Sequence, residues 1–111
     1  MSKGDPFAHA QNIAWAESAP GIKRKVLCWD DTVMMVHFVF EPGAVGAMHH
    51  HPHAQCSFIE AGSFDVTIAG RTERLVKGDS YLVPPDVPHG VVAIGPSAIV
   101  DVFMPMRADF V

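Results

Sequence analysis

Short runs of β-branched and aromatic residues alternate with clusters of turn residues along the whole chain. The turn signals, among them Pro20-Gly21, Asp30-Asp31, Glu41-Pro42-Gly43, Ala61-Gly62-Ser63, Ala69-Gly70, Lys77-Gly78-Asp79, Pro84-Pro85-Asp86 and Gly95-Pro96, recur about every 8 to 12 residues, as in sandwiches and barrels. The runs between them, 26–29, 32–40, 55–60, 64–69, 72–76, 80–83, 91–94 and 98–104, are rich in residues that suit a pleated, half-buried surface. No segment keeps a 3.6-residue apolar period long enough for a helix. The pattern predicts an all-β fold, a small antiparallel double-sheet barrel. There is no linker, low-complexity stretch or internal repeat, so one domain is expected. Residues 22–111 form the barrel, and residues 1–21 are an N-terminal segment that packs on it or on a partner.

Two strands are apolar on both faces. Met34, Val36, Phe38 and Phe40 are backed by Val33, Met35, His37 and Val39. Val100, Val102 and Met104 are backed by Ile99, Asp101 and Phe103. A solitary small barrel alternates apolar inside with polar outside. Both outer faces therefore need cover, and a homodimer packing its sheet faces is expected.

With 111 residues and 49% hydrophobic content, one core buries roughly two-thirds of the unfolded chain's surface. The longest apolar run, 33–40, is interrupted by His37 and is too short to span a bilayer. The first residues lack the apolar core of a signal peptide, so a cytoplasmic protein is expected. A net charge of −4 leaves no excess cations to neutralise phosphates, so no nucleic-acid partner is expected. Cys28 and Cys56 lack metal-pair spacing and read as small buried hydrophobes. Seven histidines are the anomaly, five of them at 49, 50, 51, 53 and 89.

In extended chain, residues i and i+2 point the same way, so His49 and His51 can offer both imidazoles to one ion. Pro52 then ends the strand, and His89 brings a further imidazole at the start of another. His50 points away by parity, and His9 and His37 read as incidental. His53 lies near the pair, where a supporting hydrogen bond is expected of it. Glu60 is aimed away from the position of Gln55 by alternation. On the last strand, an aspartate at 101 among Ile99, Val100, Val102 and Phe103 would be desolvated and its pKa raised. That pattern fits a proton-transfer group as well as a buried aspartate paired with an arginine. Phe103 reads as core or as a ring facing a ligand, and Arg107 as a solvated tail charge or a fork for a carboxylate. Arg24 and its lysine neighbours read as solvated charges, and Tyr81 and Met104 as packing residues.

Two stretches resemble the paired motifs of the cupin superfamily. Gly43, His49, His51 and Gly62 fit the first, and Gly78, Pro84 and His89 fit the second. Gln55 stands where the motif has an acid, Asp86 where it has a glycine and Ala93 where it has an asparagine. Further segments, KRKVL at 23–27, GDSYLVP at 78–84, VPHGV at 87–91 and DVFMPMRADF at 101–110, resemble the KdgF group of pectin degradation proteins. The resemblance implies a jelly-roll fold with one divalent transition metal (Ni, Zn, Fe, Mn or Co) on His49, His51, Gln55 and His89. It also implies conversion of small anionic sugar acids, 4,5-unsaturated monouronates, to linear 5-keto-4-deoxyuronates. Asp101 would move the proton, Arg107 hold the carboxylate and Phe103 pack on the ring. Four neutral ligands leave the ion its full charge, which favours Lewis-acid over oxidative chemistry. The alternatives are a small Fe(II) cupin dioxygenase and a non-catalytic sugar-acid-binding module.

Overall fold

A computed structural model, describing residues 3–111, folds the apolar runs into ten strands. They are β1 (Ala16–Ala19), β2 (Ile22–Trp29), β3 (Met34–Phe40), β4 (Val45–His49), β5 (Ala54–Ala61), β6 (Ser63–Ile68), β7 (Arg71–Val76), β8 (Ser80–Val83), β9 (His89–Ala93) and β10 (Ser97–Met104). One sheet has the order β1-β2-β3-β10-β5-β8 and the other β4-β9-β6-β7. Every pairing is antiparallel. This is the all-β double-sheet barrel expected from the turn rhythm, in the jelly-roll form that the resemblance implies. The chain also contributes β1, which the apolar pattern does not announce, because Ala16, Glu17 and Ser18 are exposed and the strand depends on backbone pairing with β2. Among the described residues no helix is long and apolar enough to cross a membrane.

Strand parity builds the interior. Met34, Val36, Phe38 and Phe40 of β3 all face inward, beside Ile99 and Phe103 of β10 and Ile59 of β5. Phe64 and Val66 of β6 close the core from the second sheet. Phe40 meets Phe64 edge to face, with ring centroids 4.9 Å apart, tying the two sheets together. Burial of a ring of this kind contributes about 2–3 kcal/mol.

The opposite parity leaves an apolar outer surface on the six-stranded sheet. Register aligns Val102 with Cys56 and Cys56 with Leu82, while Val100 lies beside Phe58. Leu82 is 63% exposed and Phe58 47%. Trp15 covers only the neighbourhood of His37 and Lys25, with its ring 5.6 Å from the His37 ring and 4.5 Å from Lys25 Nζ. Both cysteines are free and exposed, which corrects their reading as buried hydrophobes. Cys56 alternates with the buried Gln55 and Ser57 on β5 and so must face out. Met104 is likewise exposed at the end of β10 rather than packed.

Gly62 makes the turn from β5 to β6 with a φ of 71°, and a Cβ there would collide with Ser97 Oγ and the Pro96 carbonyl. Gly70 has a φ of 80° but open space around it. Gly62→Ala is therefore expected to cost more than ~2 kcal/mol in urea unfolding, and Gly70→Ala only about 1 kcal/mol for its backbone. Equal losses would show that the steric contact at Gly62 relaxes freely.

Candidate metal centre

Three imidazoles converge where β4 and β9 pair. His49 closes β4 and lies in register with His89, the first residue of β9. His51 follows β4 in the loop before β5. The His49 and His89 rings are 4.3 Å apart, His51 and His89 4.9 Å, and His49 and His51 5.4 Å. One ligand nitrogen from each lies within 4.8 Å of the others.

The hydrogen bonds decide which nitrogen that is. Nδ1–H of His49 donates to the Ala47 carbonyl at 2.8 Å, that of His51 to the His53 carbonyl at 3.1 Å, and that of His89 to the Val87 carbonyl at 2.9 Å. Each ring therefore keeps its Nε2 lone pair free, the tautomer in which histidine ligates. The Nε2 of His89 is buried without a partner. Burial pushes the His89 ring down to about 4 and lowers His51 as well, so both are neutral at pH 7. His53 contributes its carbonyl; its ring sits 5.4 Å from that of His51. His50 is exposed, and Glu60 faces His37 at 3.7 Å on the outer side.

Gln55 completes the convergence from β5. Its Oε1 lies 3.1 Å from His51 Nε2, while its Nε2 donates to Ser57 Oγ at 3.0 Å. With His51 protonated at Nδ1, two lone pairs then face each other across 3.1 Å. Such an arrangement is repulsive unless a cation lies between them. The donor set thus fits a divalent transition ion, with three nitrogens and one oxygen, all neutral.

Two rows of side chains cross the six-stranded sheet toward this point. Met34, Phe103, Gln55 and Val83 lie side by side, and next to them Val36, Asp101, Ser57 and Tyr81. Asp101 is enclosed by apolar strands, and burial pushes its carboxyl up to about 6 against the pull of hydrogen bonds from Ser57 and Gln55 and of the Arg107 charge. Ser57 Oγ donates to Asp101 Oδ1 at 2.5 Å. Tyr81 is not mere packing: its hydroxyl lies against Ser57 and Gln55, and burial together with Asp101 raises its pKa. Strand parity from Gln55 is the one sequence signal for Ser57, and the cross-strand match to Asp101 leaves no trace in spacing.

A cavity of about 410 Å³ opens over these groups, lined by His49, His89, Gln55, Tyr81, Asp101, Phe103 and Arg107 together with apolar residues such as Phe38 and Phe40. Arg107 is 14% exposed in its side chain, and Asp109 accepts from its Nε at 3.0 Å and its Nη2 at 2.8 Å. Its guanidinium stands 5.1 Å from the Phe103 ring centroid and 4.4 Å from that of Phe110. Among the described residues Nη1 has no hydrogen-bond partner. Arg24 is not a plain solvated charge, because its guanidinium lies 4.4 Å from the centroid of the half-buried Phe110 ring, which the C-terminal turn brings back to β2. Asp86 occupies the left-handed region, with a φ of 64°, and its N–H donates to the His51 carbonyl at 2.8 Å. That backbone explains why the cupin motif favours glycine there, and aspartate is among the residues that tolerate it. Ala93, buried on β9, meets the position of the motif asparagine with backbone bonds to Gly43 and Ala44.

A family model described as a cupin domain matches residues 36–103. The pectin degradation protein KdgF of Dickeya dadantii (strain 3937) is 44% identical over 98 residues, covering 86% of this chain and 89% of that protein. Among solved structures, KdgF from Halomonas sp. superposes with a TM-score of 0.92 at 35% identity, over 96% of this chain and 99% of that one. An RmlC-like cupin from Shewanella frigidimarina NCIMB 400 gives a TM-score of 0.95 at 35% identity, over the full length of both.

Burial of Asp101 makes a pH-dependent prediction for the chelator-treated protein. A carboxyl held near 6 when folded favours the fold below its ordinary value of about 4 and loses that contribution as pH rises through 6. Asp101→Asn should therefore be more stable than the parent by ~2–3 kcal/mol at pH 8, with the gap closing toward pH 4. His51 and His89 titrate in both proteins and cancel in the difference. Melting curves at the two pH values check it, and a gap that does not change with pH would refute it.

Proposed function

The chain belongs to the cupin domain family, and from that premise we propose that it opens and ketonises 4,5-unsaturated monouronates at the cavity over the three histidines. The observation that carries the reading is a cluster of four convergent lone-pair donors, three of which line one cavity together with a desolvated carboxyl and a half-committed guanidinium. The KdgF relatives support the substrate class by their name.

A divalent ion held by His49, His51, Gln55 and His89 would supply Lewis acidity toward substrate oxygens. Arg107, already aligned by Asp109 along one edge, offers Nη1 to the C6 carboxylate. Phe103 gives the sugar ring an apolar floor beside Asp101. The Asp101 carboxylate takes the proton of the C1 hydroxyl, the C1–O5 bond breaks as C1 becomes a carbonyl, and the electron pair passes to O5. Asp101 then returns the proton to C4 as C5–O5 becomes the ketone. Atoms and electrons balance within the substrate, so the step is an isomerisation with no oxidant. A carboxyl near 6 suits both halves of this exchange at neutral pH. Two separate free thiols suit the reducing cytoplasm.

Incubation with lyase-generated unsaturated monouronate should abolish the C=C absorbance, and chelator treatment should stop it. Asp101→Asn should lower turnover by about 10²- to 10⁴-fold while the protein still binds metal. Full activity of that variant would remove Asp101 from the reaction; recovery of unchanged uronate would point to a binding module, and oxygen uptake to a dioxygenase. The outer apolar surface around Phe58, Leu82 and Val102 is assigned to a second copy of the chain, completing a homodimer. Sedimentation at micromolar concentration should show a dimer that Leu82→Lys converts to monomer; a parent protein that sediments as monomer would refute the assignment.

A further inference from the structure

Ser57 is neither a candidate ligand nor part of the cavity wall, yet it is almost completely buried between the two functional groups of the site. A serine hydroxyl has one proton and two lone pairs. Here the proton goes to Asp101 Oδ1, at 2.5 Å. Toward Gln55, Ser57 Oγ can then only accept, and it does so from Nε2 at 3.0 Å. That direction settles the Gln55 amide. With its nitrogen committed to Ser57, its oxygen must face His51 Nε2, 3.1 Å away. The reversed amide would aim N–H groups at the histidine cluster, where a cation has to sit, and would leave two acceptors facing each other at Ser57.

We infer that Ser57 is the positioning residue that orients the Gln55 amide oxygen toward the metal and, through the same hydroxyl, couples the ligand set to Asp101. Cross-strand register makes this possible, because Ser57 is paired with Asp101 on β10 and is two residues from Gln55 on the same face of β5. The inference rests on the metal centre proposed above but not on the identity of the substrate.

The test is the affinity of the metal-free protein for Co²⁺, measured by competition with a chromophoric chelator, in Ser57→Ala and the parent. Removal of an outer partner of a ligand should weaken Co²⁺ binding by about 10-fold or more. At saturating Co²⁺, kcat on the unsaturated uronate should fall by about 10- to 100-fold, with KM moving less than about threefold, because Ser57 does not touch substrate. A purely structural serine would lower the melting temperature without changing Co²⁺ affinity in the folded protein, and that result overturns the inference. Should Ser57→Ala not fold, Ser57→Gly removes the same hydroxyl without adding a metal-binding group, and parental Co²⁺ affinity in that variant overturns it equally. Because the affinity is read without uronate, a parent protein that binds Co²⁺ but leaves uronate unchanged refutes the proposed activity alone. A parent that binds no Co²⁺ refutes the metal centre and this inference with it.

Discussion

The site depends on three hydrogen bonds from imidazole Nδ1 atoms to the backbone. Each carbonyl that accepts one, from Ala47, His53 or Val87, lies two residues from the histidine it holds. Ring orientation is therefore set by the local chain and needs no distant partner. Because the accepting group is backbone, side-chain drift nearby cannot easily remove it. The cost of burying two bases beside each other is met by keeping His51 and His89 uncharged, which burial itself enforces.

The wall opposite the histidines follows a different logic. Antiparallel register lays Asp101, Ser57 and Tyr81 side by side on three neighbouring strands, with apolar rows around them. In water an aspartate and a serine would gain little from meeting. In this enclosure the hydrogen bond keeps a charge tolerable that burial works against. The apolar core thus shapes the acidity of the site, since it supplies the desolvation that brings Asp101 toward neutral pH.

Much of this architecture was legible from residue order, and the reason is periodicity. Alternation of two sets Asp101 and Phe103 on one inward face, and the observed burial follows that parity; β4 ends at His49 rather than at Pro52, so the loop, not strand parity, brings His51 to His49. The same rule sends Cys56 outward between Gln55 and Ser57, yet composition alone suggested burial, so the pattern was the better guide there. What parity does not contain is pairing between strands far apart in the chain. Asp101 meets Ser57 across 44 positions, and Arg24 meets Phe110 only because the C-terminal turn folds back on β2. Strand β1 was hidden for another reason: its stability lies in backbone bonds to β2, and its side chains carry almost no apolar signal.

The single proton on Ser57 also limits how this sequence can drift. A glutamate arriving at position 55 would place a second carboxylate against a hydroxyl already committed to Asp101. Two acceptors would then compete for the Ser57 proton, and the one that loses it would have to turn to the Tyr81 hydroxyl. Positions 55, 57 and 101 therefore form an epistatic unit, in which a change at one alters what the others tolerate.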